Sequence, residues 1–508
     1  MHPRKFVRDS LGFAVAQYVV RALVMMRAII AARLLGPLPY GAWNAIQLLM
    51  DYGTSLPPVG TQQGLDQAVP ARIVDGDVPR LERLERAGLF NIVLLTTLFA
   101  TGCLVYALLR PNRFLSFWGP GWLLVAILDV LLTNLASYHM TLLRSHGNIN
   151  AVSGWFFLQG TIGTVLGLAL IPLVGVPGLL AGWAAGTLVA TVVLRIQGRG
   201  LVPILPRPSS DGVALVRVGL PMWVFMASTQ VMRSFDRLII LKFLGTLALG
   251  YYSLSVNALS FMLYLPDSIS YVLYPRLLRE FRHDQGRPGA IEGQVDRSLR
   301  AIAALVPAMC GIAYLCAREA VTFVLPKFTP GVPAVRTLCF GAGGLALANL
   351  SSIVLMTLGR QNVLIPAALA MTAMGATLDY LALRWGWGIN GVARMTLVTY
   401  LVNGGTLLWL AYTGLRADRA RRIGVVARSV APLLASFVLA YAIDRLLPWS
   451  VTMAWPLLLL RLLAVNALFV GLYGATVAPL LQGLGLRQVM REFNLMLPWA
   501  ARRPAEPL

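Results

Sequence analysis

Apolar runs of roughly 18–27 residues follow one another along almost the whole chain, separated by short polar stretches. A helix needs about 20 mostly apolar residues to cross a bilayer. The pattern predicts fourteen spans, at 11–35, 40–60, 87–109, 118–143, 151–172, 176–196, 214–243, 247–273, 299–317, 334–358, 362–383, 388–412, 424–447 and 455–481. The fold class expected is all-α and polytopic. The first run does not read as a cleavable leader: it is long, holds Arg21 and Arg27, and passes straight into a second span.

The connections carry the orientation. With the N-terminus in the cytoplasm, 28 basic residues fall inside and about eight outside, so the positive-inside rule sets both termini in the cytoplasm. The long loops, 72–88 and 275–300, are then cytoplasmic and read as solvated amphipathic connectors at the headgroups. In the first, Asp77 before Val78-Pro79 is a helix start. Outward connections are short, the longest being about 317–333, which leaves no room for a catalytic domain there.

An internal repeat organises the spans. Residues 31–58 align without gaps on 240–267, at an offset of 209. Both copies have a basic residue (Arg33, Lys242), a Leu-Gly turn (Gly36, Gly245), a second glycine (Gly41, Gly250), an aromatic residue and a late proline (Pro57, Pro266). Glycine suits a turn that needs open backbone conformations, and a mid-span proline is tolerated beside a cavity. The offset covers six spans, so the two halves share one orientation, as in transporters built from parallel repeats with a substrate site between them. Two lobes, 1–200 and 213–412, around a central cleft are expected, with an appended pair at 420–481 and a basic tail at 482–508.

Composition agrees: 57% of residues are hydrophobic, 13% charged, and mean hydropathy is +0.70, which excludes an ordinary soluble protein. Net charge is +22, but no basic folded domain or tail supports nucleic-acid binding. The charge instead suits topology signals and an anionic lipid or sugar phosphate. Four cysteines without CxxC spacing and four scattered histidines suggest neither a disulfide framework nor a metal centre. Gly163 with Gly167, Gly182 with Gly186, and Gly341–Gly344 read as close helix packing. No Walker motif and no cofactor fingerprint is present.

The candidate chemistry is the charge placed inside spans. An arginine at membrane depth costs at least about 2.5–3.5 kcal/mol unless it faces a wet cavity or a partner. On span 7, Gln230, Arg233 and Arg237 share a helical face, with Asp236 beside them as a counter-ion for Arg233. In the repeat Gln230 aligns with Arg21 and Asp236 with Arg27, so each lobe brings a charged column to equivalent depth. If both columns face the cleft, the cluster suits a pyrophosphate, whose oxygens guanidinium groups grip in pairs. Arg33 and Lys242, near the outward ends, read as snorkelling to headgroups; Arg21 and Arg237 fit either role. Asp129, Asp236 and Asp379 are counter-ions or H+ or Na+ coupling sites. Trp43, Tyr251 and Tyr252 read as interfacial anchors.

GPLPYGAWNAIQLLMDYGTS, FDRLIILKFLGTLALGYYSLS and LPDSISYVLYPRLLREF resemble the matching lobe openings of polysaccharide flippases. These form the O-antigen and exopolysaccharide branch of the multidrug/oligosaccharidyl-lipid/polysaccharide transporter superfamily. The resemblance implies a non-enzymatic flippase in the bacterial inner membrane. Its cargo would be undecaprenyl-pyrophosphate-linked oligosaccharide, moved to the periplasmic leaflet by alternating access. It further implies contact with membrane lipids, a polysaccharide polymerase and chain-length proteins. A peptidoglycan-precursor flippase and a cation-coupled multidrug antiporter share the expected fold. A membrane glycosyltransferase or polymerase is the alternative from another class.

Overall fold

The computed structural model describes residues 20–75, 77–109, 119–199, 202, 205–447 and 455–481; all regular structure among them is helical. The N-tail and the 482–508 tail lie outside the described residues. Two compact units divide the chain, Met1–Gly250 and Tyr251–Leu508.

The first unit holds α1 (20–35), α2 (Pro37–Ser55), α3 (Thr61–Asp75), α4 (Val78–Leu109), α5 (Gly119–Ser145), α6 (Ile149–Val174), α7 (Val176–Gln197) and α8 (Ser210–Phe243). It also holds the first turn of α9 (Gly245–His283), whose remainder belongs to the second unit. The second unit continues with α10 (Gly289–Val324), α11 (Val332–Leu338), α12 (Gly341–Thr357), α13 (Leu364–Arg384), α14 (Gly388–Gly414), α15 (Arg419–Leu446) and α16 (Trp455–Leu481).

Among the described residues ten helices are long and apolar enough to span a membrane, or eleven if Pro326–Leu338 and Gly341–Thr357, bent by 44°, count as one. The protein is a multi-pass membrane protein, with fewer qualifying spans among those residues than the fourteen expected. Only 20–35 of the first span is described. The segments expected at 40–60 and 388–412 form helices α2 and α14, but Asn44, Gln47 and Asp51 in the former and Asn390, Arg394 and Asn403 in the latter dilute their apolar character.

The turn read from the repeat is present in both copies. Gly36 at φ 77° lets the chain leave α1 and enter α2 at Pro37, and Gly245 at φ 83° opens α9 in the same way. The second glycines meet one another: a Cβ on Gly41 would collide with the Thr246 carbonyl, and one on Gly250 with the Pro37 carbonyl. The two copies of the motif therefore form one close crossing in the first unit. The late prolines differ. Pro57 lies beyond the end of α2 and frees no mid-span backbone, whereas Pro266 is inside α9.

Small residues set the other contacts. Gly182 abuts the Gly167 backbone and Gly186 that of Gly163, so the two spaced glycine pairs pack α6 against α7. Gly344 meets the Tyr400 carbonyl, which brings α12 against α14.

Of the connection read as solvated, 72–88, Val78, Pro79, Arg80, Glu82 and Arg83 are exposed and burial begins at Leu84. Residues 61–75 form α3, whose Leu65 and Val69 are fully buried, and Gly60 and Gly64 let it ride directly on Gly219 and Leu215 of α8. Asp77 caps α4 as expected, accepting the Arg80 N–H at 3.2 Å. Within a cluster built from Leu65, Leu84, Leu142, Trp155, Leu194 and Leu215, the Tyr138 hydroxyl donates to the Glu85 carbonyl at 2.9 Å. Apolar spacing sets how α3 packs.

Candidate functional site

The site in the first unit is built on α2, with α1, α5, α7 and α8 around it. Arg27 of α1 is only 3% exposed. Its guanidinium carbon lies 4.0 Å from the ring centroid of Trp183 on α7 and 5.6 Å from that of Trp43 on α2. Aromatic faces attract cations, by about 2 kcal/mol when the pair is desolvated. Stacking covers the faces of a guanidinium but leaves its N–H groups to be satisfied in plane. Nη1 of Arg27 is buried without a hydrogen-bond partner among the described residues. No carboxylate forms an ion pair with Arg27 among those residues either.

Trp43 and Tyr252, expected at the interface, are buried instead, at 4% and 0% exposure. The correction follows from their company: the Trp43 indole completes the environment of a buried cation, which a surface anchor cannot do. Trp183 was not singled out in the sequence, where it stands among small residues between Gly182 and Gly186.

A second polar group lies farther along α2, about 12 Å away for eight residues of helix. Tyr52 donates to the Ser234 hydroxyl at 2.6 Å, which in turn donates to the Gln230 carbonyl at 2.6 Å. Arg237 approaches Asp51 loosely, Nη1 to Oδ2 at 3.9 Å. Asp236 is 1% exposed and its Oδ1 accepts the Arg237 backbone N–H at 2.7 Å. Arg21, Gln230 and Arg233 are half-buried, while Arg33 and Lys242 are exposed. The first unit thus gathers Gln230, Arg237 and Asp236 near Asp51 and Tyr52, with Arg27 in a separate aromatic environment. Nothing in the sequence paired Asp51 and Tyr52 with Ser234 and Arg237; only the crossing of α2 and α8 brings them together.

The polar residues of α5 tie it to α2, α3, α4 and α7. Asn134 donates to the Gly53 carbonyl at 2.9 Å, and Arg195 reaches His139 at 3.2 Å and the Val202 carbonyl at 3.0 Å. Asp129, 1% exposed, lies beside Thr187, whose hydroxyl donates to the Trp183 carbonyl one turn back on α7. Oδ1 of Asp129 has no partner among the described residues. In the second unit Asp379, 3% exposed, accepts from Thr396 at 3.2 Å across α13 and α14. No cluster of three or more metal-ligating side chains occurs among the described residues.

Residues 30–328 match the model of a family described as polysaccharide biosynthesis protein. The chain belongs to that family. Solved structures support its fold. A lipid II flippase MurJ in an inward closed conformation is 12% identical, with a TM-score of 0.67 over 92% of this chain and 99% of that one. An inward-facing multidrug resistance MATE family transporter is 15% identical, with a TM-score of 0.62 over 82% and 98%. A mutant of the Vibrio cholerae MATE transporter VcmN is 13% identical, with a TM-score of 0.56 over 82% and 96%. No curated protein matches the chain. At these identities the structures speak for the fold, while the family match places the polysaccharide biosynthesis protein among its relatives.

Proposed function

We propose that this protein is a flippase that moves an undecaprenyl-pyrophosphate-linked oligosaccharide from the cytoplasmic to the periplasmic leaflet by alternating access. The observation that carries the reading is Arg27: a buried guanidinium, stacked on aromatic faces, with an open N–H edge and no carboxylate partner among the described residues. Such a group suits an anion better than a cationic drug, because a pyrophosphate oxygen supplies the missing in-plane acceptor. Arg21, Arg233, Arg237 and Gln230 complete the substrate-binding set, and Asp129, Asp236 and Asp379 are the candidates for counter-ion or H+ or Na+ coupling. The working halves are 1–200 and 213–412, with 420–481 as an appended pair.

On this reading the protein catalyses no covalent step and needs no cofactor. It resides in the bacterial inner membrane with both termini cytoplasmic, and it hands its cargo to a polymerase and chain-length proteins. Arg27→Ala abolishes surface polysaccharide while the amount of protein in the membrane stays unchanged. Normal export by that variant sinks the role given to Arg27. Transport assays with lipid-linked precursors of different glycans separate polysaccharide export from peptidoglycan-precursor transport, and sugar transfer by the purified protein would establish the glycosyltransferase alternative.

A further inference from the structure

In the second unit α10, α15 and α16 enclose a cavity of about 20 Å3, room for one small group such as a water molecule or an ammonium head. It lies at the helix ends that the positive-inside reading sets outward. Its walls are largely aliphatic, with Leu315, Ile443 and Leu462 contributed by the three helices. Glu319, Asp444 and Arg461 also line it.

The charges are unequally satisfied. Asp444 is held in a two-pronged pair by Arg336, at 2.8 and 2.9 Å. Glu319 is 8% exposed, and its Oε2 has no hydrogen-bond partner among the described residues. Arg461 donates from Nη2 to the Leu447 carbonyl, but its Nη1 is buried and also without an acceptor among those residues. No ion pair joins Glu319 to Arg461 among the described residues, although both face the same cavity.

A buried charge is costly unless it is paired and hydrogen-bonded. A carboxylate and a guanidinium on one cavity, each open and not joined to the other, complement a ligand carrying both signs a few ångströms apart. Aliphatic walls add a preference for a ligand with an alkyl continuation. We propose that this pocket holds the headgroup of a zwitterionic aminophospholipid. The ammonium enters the cavity to meet Glu319, the phosphate rests at the mouth on Arg461, and the first methylenes follow the aliphatic wall. The site would hold the outer ends of α15 and α16 against α10 through a lipid of the surrounding leaflet, and it does not depend on the transport reading.

The test is native mass spectrometry of the full-length protein purified in detergent with equal amounts of phosphatidylethanolamine, phosphatidylglycerol and phosphatidylcholine. The expected result is retention of phosphatidylethanolamine about tenfold above the other two, since one charge-assisted hydrogen bond to Glu319 is at stake. Glu319→Gln erases that preference, and Arg461→Gln lowers retention of all three lipids. If either variant fails to fold, the comparison of the three lipids on the natural protein still decides, because a quaternary ammonium has no N–H for Glu319. Equal retention of phosphatidylethanolamine and phosphatidylcholine by the natural protein overturns the proposal. So does an ethanolamine preference that survives Glu319→Gln.

Discussion

Arg27 in the first unit and Arg336 in the second are both stacked, largely buried arginines in membrane helices, and they differ in one respect. Arg336 lies 4.7 Å from the Tyr314 ring centroid and grips Asp444 with both prongs of its guanidinium. Arg27 is stacked more closely, 4.0 Å from Trp183, but nothing accepts from its Nη1 among the described residues. The first arrangement is neutralised: both terminal nitrogens bond Asp444 and tie α11 to α15, and only the buried Nε lacks a partner among the described residues. The second is stabilised on its faces and open at its edge. Stacking lowers the cost of burying a cation without consuming its hydrogen-bonding capacity, so an aromatic environment can keep an arginine available where a carboxylate would occupy it.

The comparison breaks most clearly at Arg336. Arg336→Ala leaves the half-buried Asp444 without its partner and is expected to cost about 3 kcal/mol of stability. Unfolding in detergent measures the loss, and removing both charges together with apolar residues recovers most of it. Arg27→Ala should instead leave membrane abundance unchanged and lower polysaccharide export by at least about a hundredfold, the effect expected when a charge-assisted contact to an anion is lost. If Arg27→Ala disappears from the membrane like Arg336→Ala, the distinction between tie and site fails.

Trp183→Leu sharpens the contrast at smaller scale. It keeps the guanidinium but removes the closer ring, worth about 1–2 kcal/mol. Export by this variant should fall by about tenfold, as read from surface polysaccharide at matched protein levels. The smallest effect is expected from Tyr52→Phe, which removes the 2.6 Å bond to Ser234. A thermal melt should register about 1 kcal/mol, with export nearly unchanged, because Ser234 keeps its bond to the Gln230 carbonyl.

Local features were legible in the sequence to different degrees. Gly36 and Gly245 announced their turns because few residues but glycine tolerate positive φ, and both adopt it. Gly163 with Gly167 and Gly182 with Gly186 announced a close contact because small residues four apart expose backbone along one helix face. Long-range partners left no such trace. Trp43 looked like an interfacial anchor, since indoles favour that level, yet its position over Arg27 takes it out of the surface. The alternating Arg and Glu of 72–88 marked a connector exposed at Val78–Arg80, whereas α3 before it was marked by no such run. Leu65 and Val69 are spaced to bury one face, and both are buried.

By itself the sequence determined that this chain crosses a membrane repeatedly as helices, that one turn recurs at Gly36 and Gly245, and that arginines enter its helices. These follow from hydropathy and from backbone geometry, which act over a few residues and are written in consecutive letters. The tertiary structure alone decided which buried charges are already satisfied. Satisfaction depends on hydrogen-bond geometry between side chains far apart in the chain, such as Arg336 with Asp444 or Arg27 with Trp183. In a medium without water those distant partners decide whether an arginine is a fixed tie or an open site.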